Sequence, residues 1–171
     1  PGVTVFSNAS LFERRFGQSG DVVREIGLSG DIREWQTLAS FSLSDAPQEM
    51  IAGVRTTGRI APRPFPPGAS PHHVIRQGEA FVPDPYADDM SLVLKVRGGI
   101  VLLCGCCHAG LRNTLATVRS QTDEPLVAII GGTHLADATE QEFAALVELL
   151  KQESSPRPVS YTHLTLPTTY T

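Results

Sequence analysis

Several features that would narrow the class of this 171-residue chain are scarce in it. It has only three cysteines, two of them adjacent at Cys106 and Cys107. That excludes a disulfide framework and makes a reducing cytoplasm the compartment to expect. Long hydrophobic runs are missing. The most apolar stretch, Gly99 to Cys104, falls far short of the roughly 20 residues that cross a bilayer. There is no run of Lys or Arg and the net charge is −4, which argues against a protein that grips a phosphate backbone. A small-molecule substrate is therefore expected, with no nucleic acid and no membrane as partner, and composition says nothing of oligomeric state. No signal peptide opens the chain, and it begins with Pro1 in place of Met, so its start is expected to lie inside a longer reading frame. What remains is ordinary globular composition, 41% apolar and 19% charged, at a length that supports one domain.

The end of the chain is unusual. After Lys151 comes a polar break, and then Val159-Ser-Tyr-Thr-His-Leu-Thr-Leu-Pro-Thr168, which resembles the conceptual translation of a transposon-end sequencing adapter. Residues 159–171 are accordingly expected to be a non-native tail and residues 1–158 the domain.

The first half is weakly patterned. Val3 to Phe6 alternates like a strand. Ser10-Leu-Phe-Glu13 has the spacing of a capping box and predicts a short helix ending near Gly17. Asp31 to Glu34 repeats that spacing before Trp35 and Leu38, and Gly53 to Ile60 reads as strand or loop. Prolines crowd Ala61 to Pro71, which forbids helix and central strand and predicts an exposed loop, with His72 and His73 beside it in solvent.

The second half is better defined. Ser91 to Val96 and Ile100 to Leu103 flank Arg97-Gly-Gly99 as a β-hairpin. Cys104-Gly-Cys-Cys-His-Ala-Gly110 follows, then a helix with Leu111, Leu115 and Val118 at helical spacing. Leu126 to Ile130 reads as a strand covered on both faces, ending in Gly131-Gly-Thr-His134. A capping box, Thr139 to Glu142, opens a last helix expected to bury Phe143, Leu146, Val147 and Leu150. This is a layered α/β domain.

Ligands collect where the strands of such domains end, and both strand ends here present a histidine, His108 and His134. Neutral imidazole suits Zn, Fe or Mn, yet a catalytic metal normally takes three protein ligands. Asp88, Asp89 and Cys106 are the remaining candidates, and spacing alone leaves a metal site and two hydrogen-bonded structural histidines equally open.

Pro83 to Asp89, Ser91 to Val96, Gly105-Cys-Cys-His-Ala-Gly110 and Ile129-Ile-Gly-Gly-Thr-His-Leu135 together resemble a branch of the metallo-β-lactamase superfamily. That branch, which includes dihydropterin-type synthases, carries an aspartate pair, a hairpin, Gly-Cys-Ser-His-Ala-Gly, a helix, a strand and Gly-Gly-Phe-His-Leu. Arg55-Thr-Thr-Gly-Arg-Ile60, Pro62-Arg63 and Arg24-Glu-Ile-Gly27 are similar to earlier parts of its pattern. Cys107, Thr133 and Asn8 depart from it, standing where Ser, Phe and His are usual.

The resemblance implies a partial αβ/βα sandwich with a metal site at one edge. His108 and His134 would be the metal-site histidines and Asp88 and Asp89 the catalytic carboxylates. Beside that implication, Arg59, Cys106 and Cys107 are candidates to face the substrate, with Arg63 a further one for an anionic substrate; the bland reading gives both cysteines a small, buried packing role and leaves the arginines solvated. The metal would be divalent and bound in the full-length protein, Zn first, with Fe and Mn as alternatives. The superfamily's His-x-His-x-Asp-His motif is absent from this sequence, and the branch's closing His-Cys-Thr-Gly would lie beyond Leu150. The chain is thus expected to be the middle of a hydrolase or synthase acting on a small phosphorylated or anionic substrate, inactive alone. Two rivals stand beside this: a non-catalytic α/β binding or scaffold piece with structural histidines, and a thiol enzyme using Cys106 or Cys107 with His108 as base.

Overall fold

The computed structural model describes residues 2–28, 30–68, 70, 72–135 and 138–153; the adapter-like tail lies outside them. The elements are β1 (Val3–Ser7), a 3-10 turn (Ala9–Phe12), β2 (Arg15–Ser19), β3 (Val22–Glu25), α1 (Ile32–Leu38), β4 (Ala39–Leu43), β5 (Glu49–Ile51), β6 (Val54–Thr56), β7 (His73–Gln77), β8 (Ala80–Pro83), β9 (Ser91–Val96), β10 (Gly99–Cys104), α2 (Leu111–Arg119), β11 (Leu126–Gly131) and α3 (Glu140–Gln152). They form a five-stranded sheet ordered β11-β10-β9-β6-β5, a four-stranded sheet ordered β3-β2-β7-β8, and a parallel β1-β4 pair.

The core lies where α2 and α3 meet the five-stranded sheet. The predicted hairpin forms, with Gly99 opposite Val96 and Cys104 opposite Ser91. Alternation along β9 and β10 sends Val93, Ile100, Leu102 and Cys104 to the helical face, where they join Leu111, Leu115, Val118, Leu126, Ile129 and Leu146. Apolar burial of this kind contributes on the order of 25 cal/mol per Å2. β11 runs parallel to β10, as a strand–helix–strand unit requires.

Several expectations are corrected. The strand from Leu126 is not covered on both faces: Leu126 and Ile129 are buried, but Ile130 is exposed. In α3 the capping box forms, with Thr139 accepting from the Glu142 amide and Glu142 accepting from the Thr139 amide. Leu146 is buried there, whereas Phe143 is 54% exposed: it shares the helix face of Leu146 and Leu150 but stands in the first turn of α3. Near the start, Asn8 and not Ser10 is the cap, its Oδ1 accepting from the Ser10 amide. The helix expected to reach Gly17 is a single 3-10 turn, and Gly17 lies in β2. β2 pairs with both β3 and β7, and those ladder bonds outweigh a weak local helix preference.

The proline-rich segment is a strap held to α2. Asn113, fully buried, donates to the carbonyls of Phe65 and Ala109 and accepts from the Phe65 amide. Thr117 accepts from the Ala61 amide, and the Arg112 guanidinium lies 3.8 Å from the centre of the Phe65 ring. At the far side Arg63 donates to the carbonyls of Ile60, Pro85 and Tyr86. A segment that cannot pair as a strand thus satisfies its backbone through side chains.

Two outcomes test this account. Asn113→Ala leaves Phe65 and Ala109 without their partners, so chemical unfolding should show a loss of about 2–4 kcal/mol, with faster proteolysis in the strap. Glu142 has its pKa lowered by the Thr139 amide and hydroxyl. A lowered carboxylate contributes stability above its unfolded pKa and loses it as pH falls through the folded value. Melting curves of the parent and Glu142→Gln should therefore differ at neutral pH and converge below about pH 4.

Candidate active site

The ends of β10 and β11 lie side by side because glycine lets them. A Cβ on Gly131 would sit 2.0 Å from the Cys104 carbonyl oxygen, and one on Gly132 would sit 2.7 Å from that of Gly105. Without side chains, the Gly132 amide donates to the Gly105 carbonyl at 2.9 Å. The residues that follow both strands are thereby delivered to one edge, and the rings of His108 and His134 meet with centroids 4.3 Å apart. Tyr86 stacks on His108 at 4.4 Å and 7°, and His73 approaches it edge-on at 6.0 Å.

His108 opens onto a cleft of about 600 Å3 that also takes in Asp88, Asp89, Tyr86 and Cys106. His134 lines a smaller cavity of about 140 Å3 on the strap side, with Gly68, Arg112 and Leu135. The two imidazoles therefore line different spaces.

The carboxylates are tied down. Asp89 accepts from the Ala109 amide at 2.6 Å, which anchors the turn carrying His108. Asp88 pairs with Arg15 at 2.9 Å. Arg15 also meets Asp84 at 3.1 Å, both side chains almost wholly buried, and donates to the carbonyls of Ser10 and Glu13. Burial raises the pKa of Asp88 against the opposing pull of Arg15, and raises that of Asp89 against the Ala109 amide. His108 moves the other way: burial first, then His134 and His73, hold its pKa down, with weak opposition from Asp84 and the Gly68 backbone. That favours neutral imidazole, the form that can ligate.

The other expected residues separate. Cys106 is exposed on the cleft. Cys107 is corrected: it is 1% exposed, faces the core, and its Sγ lies 3.4 Å from the Thr114 hydroxyl. Its hydrogen bond with Cys104, together with burial, pushes its thiol pKa far up, so it neither faces substrate nor supplies a thiolate. Arg59 pairs with Asp45 at 3.3 Å on the surface and does not line the cleft. His72 is exposed as expected. His73 is not solvated: it is half-buried in β7 with Nδ1 2.6 Å from the Tyr86 hydroxyl.

Arg15, Asp84, Tyr86 and His73 escaped the sequence reading. Asp84-Pro-Tyr86 carried one usable signal, since Asp ahead of a turn accepts the amide two residues on, and Asp84 does accept from Tyr86 at 2.7 Å. Arg15 and His73 carried none. They sit on strands whose partners are far along the chain.

A solved structure, Tm1679, described as a metal-dependent hydrolase of the beta-lactamase superfamily, matches with a TM-score of 0.76 over 90% of this chain and 57% of its own, at 18% identity. This chain has the metallo-β-lactamase fold. The 7,8-dihydropterin-6-methyl-4-(beta-D-ribofuranosyl)-aminobenzene-5'-phosphate synthase of Methanocaldococcus jannaschii is 20% identical over 156 residues, 88% of this chain and 53% of the synthase. The chain thus spans about half the length of the curated relative it matches. No family model matches it.

The metallo-β-lactamase fold implies a metal, and the side chains present answer in part. Nδ1 of His108 is buried and makes no hydrogen bond of ordinary geometry, as suits an imidazole kept for an ion. Among the described residues, however, no three His, Cys, Asp or Glu groups come together to hold one. His108 and His134 would supply two ligands at most, short of a whole catalytic set.

Replacing Arg15 by Met leaves Asp84 charged and unpaired in the interior. Urea unfolding should show a loss of about 3–5 kcal/mol, with Arg15→Met/Asp84→Asn recovering much of it.

Proposed function

We propose that this chain carries part of the active site of a metal-dependent metallo-β-lactamase-fold enzyme, a hydrolase or a dihydropterin-type synthase, acting on a small phosphorylated or anionic substrate. The observation that carries this reading is the meeting of His108 and His134, ring centroids 4.3 Å apart, beyond the ends of two parallel neighbouring strands, with His108 opening on the cleft that Asp88 and Asp89 line. In it, the two imidazoles hold a divalent ion, Zn in the first instance, whose remaining ligands come from outside this sequence. Such an ion supplies Lewis acidity toward water or a phosphoryl oxygen.

The chain's own residues do the rest. Asp89 holds the His108 turn through the Ala109 amide. Asp88, braced by Arg15, presents a carboxylate with raised proton affinity at the cleft, where it can hold a proton for the reacting group. Cys106 offers a substrate contact at the rim. Three free thiols suit a reducing, cytoplasmic setting, and no described helix is long and apolar enough to cross a membrane.

A second reading, a non-catalytic binding or scaffold piece with structural histidines, draws support from the lack of a three-group cage among the described residues. Calorimetric titration of the purified chain with Zn2+ separates the two. The enzyme reading expects weak binding, well short of a structural zinc site, removed by His108→Ala and by His134→Ala. Binding indifferent to both substitutions, or none at all, favours the scaffold. Tight stoichiometric binding would contradict the claim that ligands are lacking here.

A further inference from the structure

We infer that Tyr86 is a positioning residue for His108, its ring fixing the plane of the imidazole and its hydroxyl tethered by His73; the inference deepens the proposed function and rests on His108 serving that site. Three observations converge on it. The two rings lie parallel to within 7° at 4.4 Å, so His108 cannot tilt toward Tyr86 without collision. The phenol is held at both ends of its hydrogen-bonding capacity, taking the Ser70 amide at 3.2 Å and meeting His73 Nδ1 at 2.6 Å.

The backbone supplies the third. Tyr86 has φ +47°, and the other non-glycine residues with left-handed backbone among those described are Cys107, directly before His108, and His134. A bulky side chain in that region is strained by roughly 1–2 kcal/mol, and such strain persists only where surroundings enforce it. They do so here. The Tyr86 amide donates to Asp84 Oδ1, and its carbonyl accepts from Arg63 at 2.7 Å and from the Asp89 amide at 3.2 Å. A core aromatic that merely filled space would not need a φ imposed by three partners. The outcome is an imidazole with Tyr86 and His134 against it, whose Nδ1 makes no hydrogen bond of ordinary geometry.

The test compares the parent with Tyr86→Leu, Tyr86→Phe and His73→Ala as full chains labelled at histidine Cε1. The readouts are the His108 imidazole NMR signal, assigned with His108→Ala, and Zn2+ affinity. The parent signal should carry a ring-current displacement that Tyr86→Leu abolishes, with affinity falling about 10-fold or more, as when the outer partners of ligating histidines are removed. Tyr86→Phe and His73→Ala keep the ring and lose the tether, so they should retain the displacement and broaden the signal. If Tyr86→Leu fails to fold by circular dichroism, broadening in those two decides. An unmoved His108 signal in folded Tyr86→Leu, or an unbroadened one in both tether variants, overturns the inference. A Zn2+ affinity untouched by His108→Ala strikes the metal reading alone, because the ring-current measurement stands without metal.

Discussion

The closeness of two backbones, the ends of β10 and β11, is the constraint on which this molecule depends. Parallel neighbours lie about 4.8 Å apart, but the segments after them normally diverge. Here Gly131 and Gly132 have no side chains to push Cys104 and Gly105 away, and the bond from the Gly132 amide to the Gly105 carbonyl carries the contact one step past the sheet. Any Cβ at those positions would force the strand ends apart and separate His108 from His134. Two glycines in a sequence thus become a distance between two rings.

Around that edge, several buried polar groups hold one another in ion pairs and hydrogen bonds. Arg15 neutralises Asp84 and reaches Asp88, Asn113 holds the strap, and Asp89 holds the turn before α2. Buried ion pairs gain little net stability, because desolvation offsets attraction. Their value here is geometric: they join β2, the Pro83–Asp89 segment and α2, elements distant in sequence, around one cleft.

The legible parts of the sequence were local ones. The β9–β10 hairpin follows from alternation and glycines at the turn, α2 from Leu111, Leu115 and Val118, and the start of α3 from the Thr139–Glu142 box; each needs contacts only within a few residues. The errors were also local readings, made where distant partners decide. Ser10 to Glu13 has a cap's spacing, yet Asn8 took that place and β7 drew Arg15 to Gly17 into a strand. The proline-rich segment is the irregular, largely exposed loop its composition requires, but that composition gave no sign of its bonds to α2. Cys107 could pack or face substrate as far as its motif goes, and the turn sends its side chain inward to pack. His73 looked solvated beside prolines until Tyr86 covered it.

By itself, then, the order of residues determined which segments become strand or helix in the second half, and which histidines follow the strand ends, because periodicity, glycine and capping act at short range. Tertiary structure alone decided that His73, Tyr86, His108 and His134 share one edge, that Arg15 braces Asp88, and that Cys106 opens to the cleft while Cys107 does not. Those outcomes depend on strand pairing across dozens of residues and on which face of a turn burial selects, and neither is encoded in any short stretch of the chain.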